Sequence, residues 1–203
     1  MKILIVADYV APELYREYKP GTFSDIDLIL SCGDLPPEYL TFLTTALNTP
    51  LGFVRGNHDI RYVDKSPVGC KDLHGKITRF MGISILGLSG SHWYNGGPNQ
   101  YTENQMRLMI LKLKPSLWLR KKIDIVLTHS PPRNIHDAED MCHRGFRCFV
   151  KLIEQYAPAY FIHGHIHTHF EKEEDRLTIH KNTKVINAYG YIILELPGEF
   201  PKK

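Results

Sequence analysis

Short apolar runs rich in β-branched residues recur along the chain, and each stops at a polar or glycine-bearing turn: Ile3 to Val6, Leu28 to Ser31, Leu51 to Val54, Ile83 to Leu86, Ile123 to Leu127 and Tyr160 to Ile162. Runs this short and this apolar read as buried strands. Between them, Glu38 to Leu47, Thr102 to Leu113 and Phe146 to Tyr156 place apolar residues at helical spacing. The last third changes character. Leu177 to Ile179, Lys184 to Asn187 and Tyr191 to Leu196 are strand-like, with tight turns and no helix between them, which predicts a second, antiparallel sheet. Two sheets packed face to face with helices on the outside make a two-sheet α/β sandwich. No Pro/Gly/Ser-rich linker or internal repeat divides the chain, so residues 1–203 are expected to form a single domain.

Composition narrows the class without naming a chemistry. Hydrophobic residues make up 43% and charged residues 23%, ordinary globular usage with no low-complexity tract. The net charge is +3, and Lys and Arg are scattered apart from Arg120-Lys121-Lys122 and Lys202-Lys203. That leaves no nucleic-acid footprint, and Arg120 to Lys122 read as the solvated end of a helix. Cys32, Cys70, Cys142 and Cys148 contain no CxxC pair, and the chain opens on a strand-like run with no signal-peptide pattern. The expected setting is cytoplasmic. No apolar run approaches the roughly 20 residues that span a bilayer.

The chemistry-bearing residues gather after the predicted strands. Asp8 follows the first, Gly33-Asp34 the second, Gly56-Asn57-His58-Asp59 the third, His129 a later one and Gly164-His165-Ile166-His167 another. In open α/β sheets, ligands bind in the crevice at the carboxyl ends of strands, so these distant loops are expected to converge. Asp and Asn oxygens mixed with imidazoles suit divalent ions such as Mn, Fe, Zn or Mg. The glycines at 33, 56 and 164 permit the sharp turns that such crowding needs.

Asp8, Gly33-Asp34, Gly56-Asn57-His58-Asp59, Thr128-His129-Ser130-Pro131-Pro132 and Gly164-His165-Ile166-His167 resemble, in order, the motifs of the calcineurin-like metallophosphoesterases. The resemblance implies one metal on Asp8, Asp34 and His167 and a second on Asp34, Asn57, His129 and His165, with Asp34 as the bridge. Mn is the foremost ion, with Fe, Zn, Ni or Mg as alternatives. It also implies hydrolysis of a small phosphate ester by a metal-bridging hydroxide, with His58 near the leaving group and Asp59 orienting its ring. One departure stands out. The family's first motif is Asp-x-His, whereas Asp8-Tyr9-Val10 puts a valine where an imidazole is expected, so the first site should bind its ion more weakly.

The other candidates are weaker. His163 reads as an inward or neighbouring strand residue and His169 as rim, His136 and His143 as neighbours of the substrate pocket, and Cys142 and Cys148 as buried apolar positions. Gly90 to Gly97, containing His92, Trp93 and Tyr94, reads equally as a packing loop and as a glycine-rich loop that faces the substrate. Small relatives favour phosphodiesters. The alternatives are a phosphomonoesterase and a catalytically weakened scaffold of the same fold that binds a protein partner. No feature of the sequence sets an oligomeric state.

Overall fold

The computed structural model describes residues 1–120 and 122–197. Lys121, within the basic cluster named above, and Lys202-Lys203 lie outside the described residues. In chain order the elements are β1 (Lys2–Ala7), β2 (Leu28–Ser31), α1 (Pro37–Ala46), β3 (Leu51–Phe53), β4 (Cys70–Asp72), β5 (Lys76–Phe80), β6 (Ile83–Leu88), β7 (Ser91–His92), β8 (Gln100–Tyr101), α2 (Glu103–Lys112), α3 (Lys114–Arg120), β9 (Ile125–Thr128), α4 (Arg147–Tyr156), β10 (Tyr160–His163), β11 (Leu177–His180), β12 (Thr183–Asn187) and β13 (Gly190–Glu195).

Two main sheets form, in the orders β13-β1-β2-β3-β4 and β11-β12-β10-β9-β6-β5, with β7 and β8 paired as a short ribbon. β1 to β4 are parallel to one another, as are β6, β9, β10 and β12. The alternation of side chains along each strand explains the layering. Ile3, Ile5, Leu28, Leu30, Ile83, Ile85, Ile125, Leu127 and Ile162 meet in one cluster between the sheets. Their neighbours Leu4, Val6 and Ile29 face Tyr39, Leu40 and Leu43 of α1. Leu86, Leu88, Val126 and Phe161 face Met106, Ile110, Phe149, Leu152 and Ile153 of α2 and α4. The result is the helix–sheet–sheet–helix sandwich that the apolar pattern predicts.

The last third departs from its sequence reading. β11, β12 and β13 do not make a sheet of their own. β11 and β12 form an antiparallel hairpin that joins the second sheet through β12 and β10, and β13 crosses to pair antiparallel with β1. Each sheet thereby gains an edge strand, and Ile192 and Leu194 of β13 pack against the inter-sheet cluster. Local signals also set the helix ends. Thr102 and Gln105 form a capping box that starts α2, and the Glu103 carboxylate accepts the Arg147 and Cys148 amides at 3.0 and 2.7 Å, capping α4. Among the described residues no helix is long and apolar enough to cross a membrane.

Candidate metal centre

The loops after β1, β2, β3, β9 and β10 meet where the two sheets adjoin, and backbone bonds lace them together. The Asp8 amide donates to the Gly33 carbonyl at 3.1 Å and the Gly164 amide to the His129 carbonyl at 3.0 Å. Across the sandwich, the His165 amide donates to Asp8 Oδ2 at 2.9 Å. Asp8, Asp34 and His165 adopt left-handed φ values of 62°, 56° and 68°, a conformation that costs a non-glycine residue of order 1 kcal/mol and gathers at functional sites. Two glycines make the close approach feasible. A Cβ at Gly56 would lie 2.6 Å from His129 Cε1 and overlap the Asp34 carboxylate, and one at Gly164 would lie 2.5 Å from Asp8 Oδ2.

His129, wholly buried, donates from Nδ1 to the Cys32 carbonyl at 2.9 Å. Its Nε2 then faces Asn57 Oδ1 at 3.0 Å and Asp34 Oδ2 at 3.3 Å. Two oxygens and a nitrogen converging in a buried space call for a cation at their centre. Burial opposes charge on Asp34, yet the His129 charge and the bonds from His129 and the His58 amide hold its carboxyl at about 2. Burial likewise opposes charge on His129, and Asp34 outweighs it and lifts the imidazole to about 9. The pair is therefore an ion pair of no net charge that holds one proton on His129, and a divalent ion would take that proton's place. His165 completes the group, its ligand atom within 4.8 Å of those of Asp34 and His129. Its Nε2 donates to the Cys142 carbonyl at 2.8 Å, leaving the Nδ1 lone pair, and burial followed by the His129 charge lowers its pKa to about 3. A neutral imidazole is the form that binds metal.

A second set of donors lies alongside. Asp8 Oδ1 is buried without a hydrogen-bond partner among the described residues, and His167 Nε2 lies 3.5 Å from it. An orphaned buried carboxylate oxygen beside an imidazole also fits a cation. The His167 side chain is 58% exposed and stacks on Tyr189, so this set is more open to water than the first. Val10, at the position where the resemblance leads one to expect a histidine, packs half-buried against the apolar cluster on the outer face of the first sheet.

Asp59 has a set of contacts that its place beside His58 does not foretell. It is buried, and its carboxylate accepts the amides of Gly56 and Asp34 on Oδ2 at 2.7 and 2.8 Å and of Leu35 on Oδ1 at 3.1 Å. Its oxygens tie the β2 and β3 loops together. His58 itself is exposed, and its amide donates to Asp34 Oδ1 at 2.8 Å. Cys142 differs as well. Cys148 is buried in the core, but Cys142 is half-buried at the crevice, because Asp137 holds Arg133 at 2.6 Å and the Gly145 amide at 3.0 Å and so folds this loop over β9 and β10. His163 is buried and shares a hydrogen bond with His136 at 2.9 Å, while His169 is exposed. Tyr94, in the glycine-rich loop, accepts from Asn57 Nδ2 at 3.2 Å. The sequence leaves that loop open between packing and facing the substrate and does not single out this contact.

The model of the calcineurin-like phosphoesterase family matches residues 1–169. The chain belongs to that family, whose members are in general metal-dependent phosphoester hydrolases acting through divalent ions. Solved structures repeat the fold. TT1561 of Thermus thermophilus superposes with a TM-score of 0.65 at 17% identity, covering 93% of this chain and 89% of its own. The calcineurin-like phosphoesterase YfkN from Bacillus subtilis gives 0.52 at 14%, covering 97% and 86%. GAP50, the anchor in the inner membrane complex of Plasmodium, gives 0.55 at 13%, covering 93% and 71%. No protein of curated description matches the sequence.

Proposed function

We propose that residues 1–203 act as one domain, a phosphodiesterase in which Asp34, Asn57, His129 and His165 hold one divalent ion and Asp8, Asp34 and His167 another, with Mn2+ the foremost candidate. The observation that carries this reading is the convergence of Asp34 Oδ2 and Asn57 Oδ1 on His129 Nε2, whose other nitrogen is engaged by the Cys32 carbonyl. When bound, the ions would supply Lewis-acid activation of water and neutralise charge on the phosphoryl oxygens. The chain's own residues do the rest. The Cys32 and Cys142 carbonyls set the tautomers of His129 and His165, and Asp59 holds the β2 and β3 loops in register. His58, tethered by its amide to Asp34 with its ring exposed, would give a proton to the departing ester oxygen.

Charge favours a diester over a monoester. Arg55 leads into the β3 loop and Arg133 follows β9, and both are already paired, with Asp72 at 2.5 Å and with Asp137 and Glu139 at 2.6 and 2.8 Å. Neither is left to balance the second negative charge of a phosphomonoester. Trp93, 45% exposed on the glycine-rich loop, offers a face to an aryl or base substituent. Four free cysteines fit a reducing, cytoplasmic compartment. The deciding experiment is a panel of bis-p-nitrophenyl phosphate, p-nitrophenyl phosphate and cyclic nucleotides with added Mn2+. Faster turnover of the diesters is expected. Preference for the monoester would make the chain a phosphomonoesterase, and no turnover of any ester would point to the scaffold.

A further inference from the structure

The segment after β9 brings a second, softer donor set to His165. The ligand atoms of Cys142, His143 and His165 lie within 4.8 Å of one another, as those of Asp34, His129 and His165 do. The His165 ring stands between the other two imidazoles, 4.7 Å from that of His129 and 5.2 Å from that of His143, centroid to centroid. Two further observations show a site that is organised in advance. The Asp140 carboxylate accepts the amides of Cys142 and His143, each at 3.0 Å, and contacts His143 Nδ1 at 3.0 and 3.1 Å. It thus fixes the two-residue turn and engages His143 Nδ1, which leaves Nε2 as the nitrogen able to ligate, the arrangement in which a carboxylate supports a metal-binding imidazole. On the other side, Tyr94, whose hydroxyl accepts from Asn57 at 3.2 Å, lies near Cys142 and so stands between the two donor sets.

The donors differ in kind. Asp34 and Asn57 present oxygen and suit harder ions, whereas a thiolate with imidazoles selects softer ones. We propose that Cys142, His143 and His165 form a second site for a thiophilic divalent ion, Zn2+ or Cd2+, and that filling it withdraws His165 from the Asp34–Asn57–His129 group. A neutral imidazole has one free lone pair, so His165 serves one ion at a time. As the sulfur–metal bond forms, the Cys142 thiol proton passes to solvent. A soft ion at this position would therefore inhibit by competition for a ligand, without occupying the place of the substrate. The inhibitory part of this inference rests on the metal-centre reading above, while the site itself does not.

The test uses Co2+ as a spectroscopic probe of thiolate ligation in the full chain. Titration with Co2+ should produce a near-ultraviolet thiolate-to-cobalt band that Zn2+ displaces, and the band should vanish in Cys142→Ser. In Mn2+-loaded protein followed by electron paramagnetic resonance, Zn2+ should release Mn2+ from the wild type at about 10- to 100-fold lower concentration than from Cys142→Ser. His143→Asn, at a half-buried position, provides a second variant and should weaken Zn2+ in the same direction. No band in the wild type, a band retained in Cys142→Ser, or equal Zn2+ sensitivity of wild type and both variants would overturn the proposal. The two readings fail separately. An intact band with no hydrolysis of any ester removes the phosphodiesterase and leaves this site, and hydrolysis without the band removes this site alone.

Discussion

At the residue scale, the proposed ligands divide by how their charge is managed. Asp34 is held ionised by His129 and bonded by the His58 amide, so its removal leaves His129, Asn57 and His165 without an anionic partner. Asp34→Ala should lower metal affinity by at least about 100-fold and take activity down in step, measured as metal per chain and turnover in one preparation. His58→Ala should behave differently, since the bond from His58 to Asp34 comes from its backbone amide, which the substitution keeps. Metal content should stay near that of the wild type while turnover falls roughly 100- to 10,000-fold. The loss should be greatest for an ester that leaves as an alkoxide and smaller for p-nitrophenolate. Equal losses on both esters would contradict proton donation at the leaving oxygen. The acidic, amide and imidazole residues were legible in the sequence because each follows a strand inside a short glycine-bearing motif. Asp59 and Cys142 were not, because side-chain bonds to distant amides and the path of a loop leave no spacing to read.

At the element scale, the strands that bury both faces were legible, since β1, β2, β9 and β10 are runs of apolar residues with nothing else to do. β4, β7 and β8 are two or three residues long and only partly buried, too short to carry a period. The partner of β13 was hidden for another reason: whether a terminal strand pairs with its neighbour or with β1 depends on which edge is open, and that is a property of the assembled sheets. One loop contact between elements gives a pH prediction. His74, after β4, accepts the Ser89 amide on Nδ1 at 3.0 Å and stacks on Tyr101 of β8. Burial lowers its pKa below the ordinary 6.5, against the pull of Asp72. The unfolded chain therefore binds this proton more readily than the folded one, so the contribution of neutral His74 is whole above pH 6.5 and declines as pH falls below it. Urea denaturation at about pH 7.5 and about pH 5 should show a smaller loss of stability on acidification in His74→Asn than in the wild type.

At the scale of the whole molecule, the proposed centre joins the two halves of the sandwich. The first sheet supplies Asp8, Asp34 and Asn57 from the ends of β1, β2 and β3, and the second supplies His129, His165 and His167 from β9 and β10. The ion on Asp34, Asn57, His129 and His165 would have four protein donors from both sheets, and Asn57, His129 and His165 are 3%, 0% and 4% exposed. The ion on Asp8, Asp34 and His167 would have three donors, one of them exposed, with Val10 packed away in an apolar cluster. Two unequal affinities follow. Dialysis against a mild chelator should leave about one metal per chain and abolish most activity, and Mn2+ should restore it. The retained ion would also clamp the sheets, so its removal should be felt by the fold. At free metal about 100 times its dissociation constant it would stabilise the folded state by about 2.7 kcal/mol, or roughly 5–10 °C in melting temperature for a chain of this size. Calorimetry before mild chelation, after it and after exhaustive chelation should therefore show a small first step and a larger second one. Two ions lost together, or a melting temperature indifferent to both, would show that the two donor sets are equivalent or that neither staples the sheets.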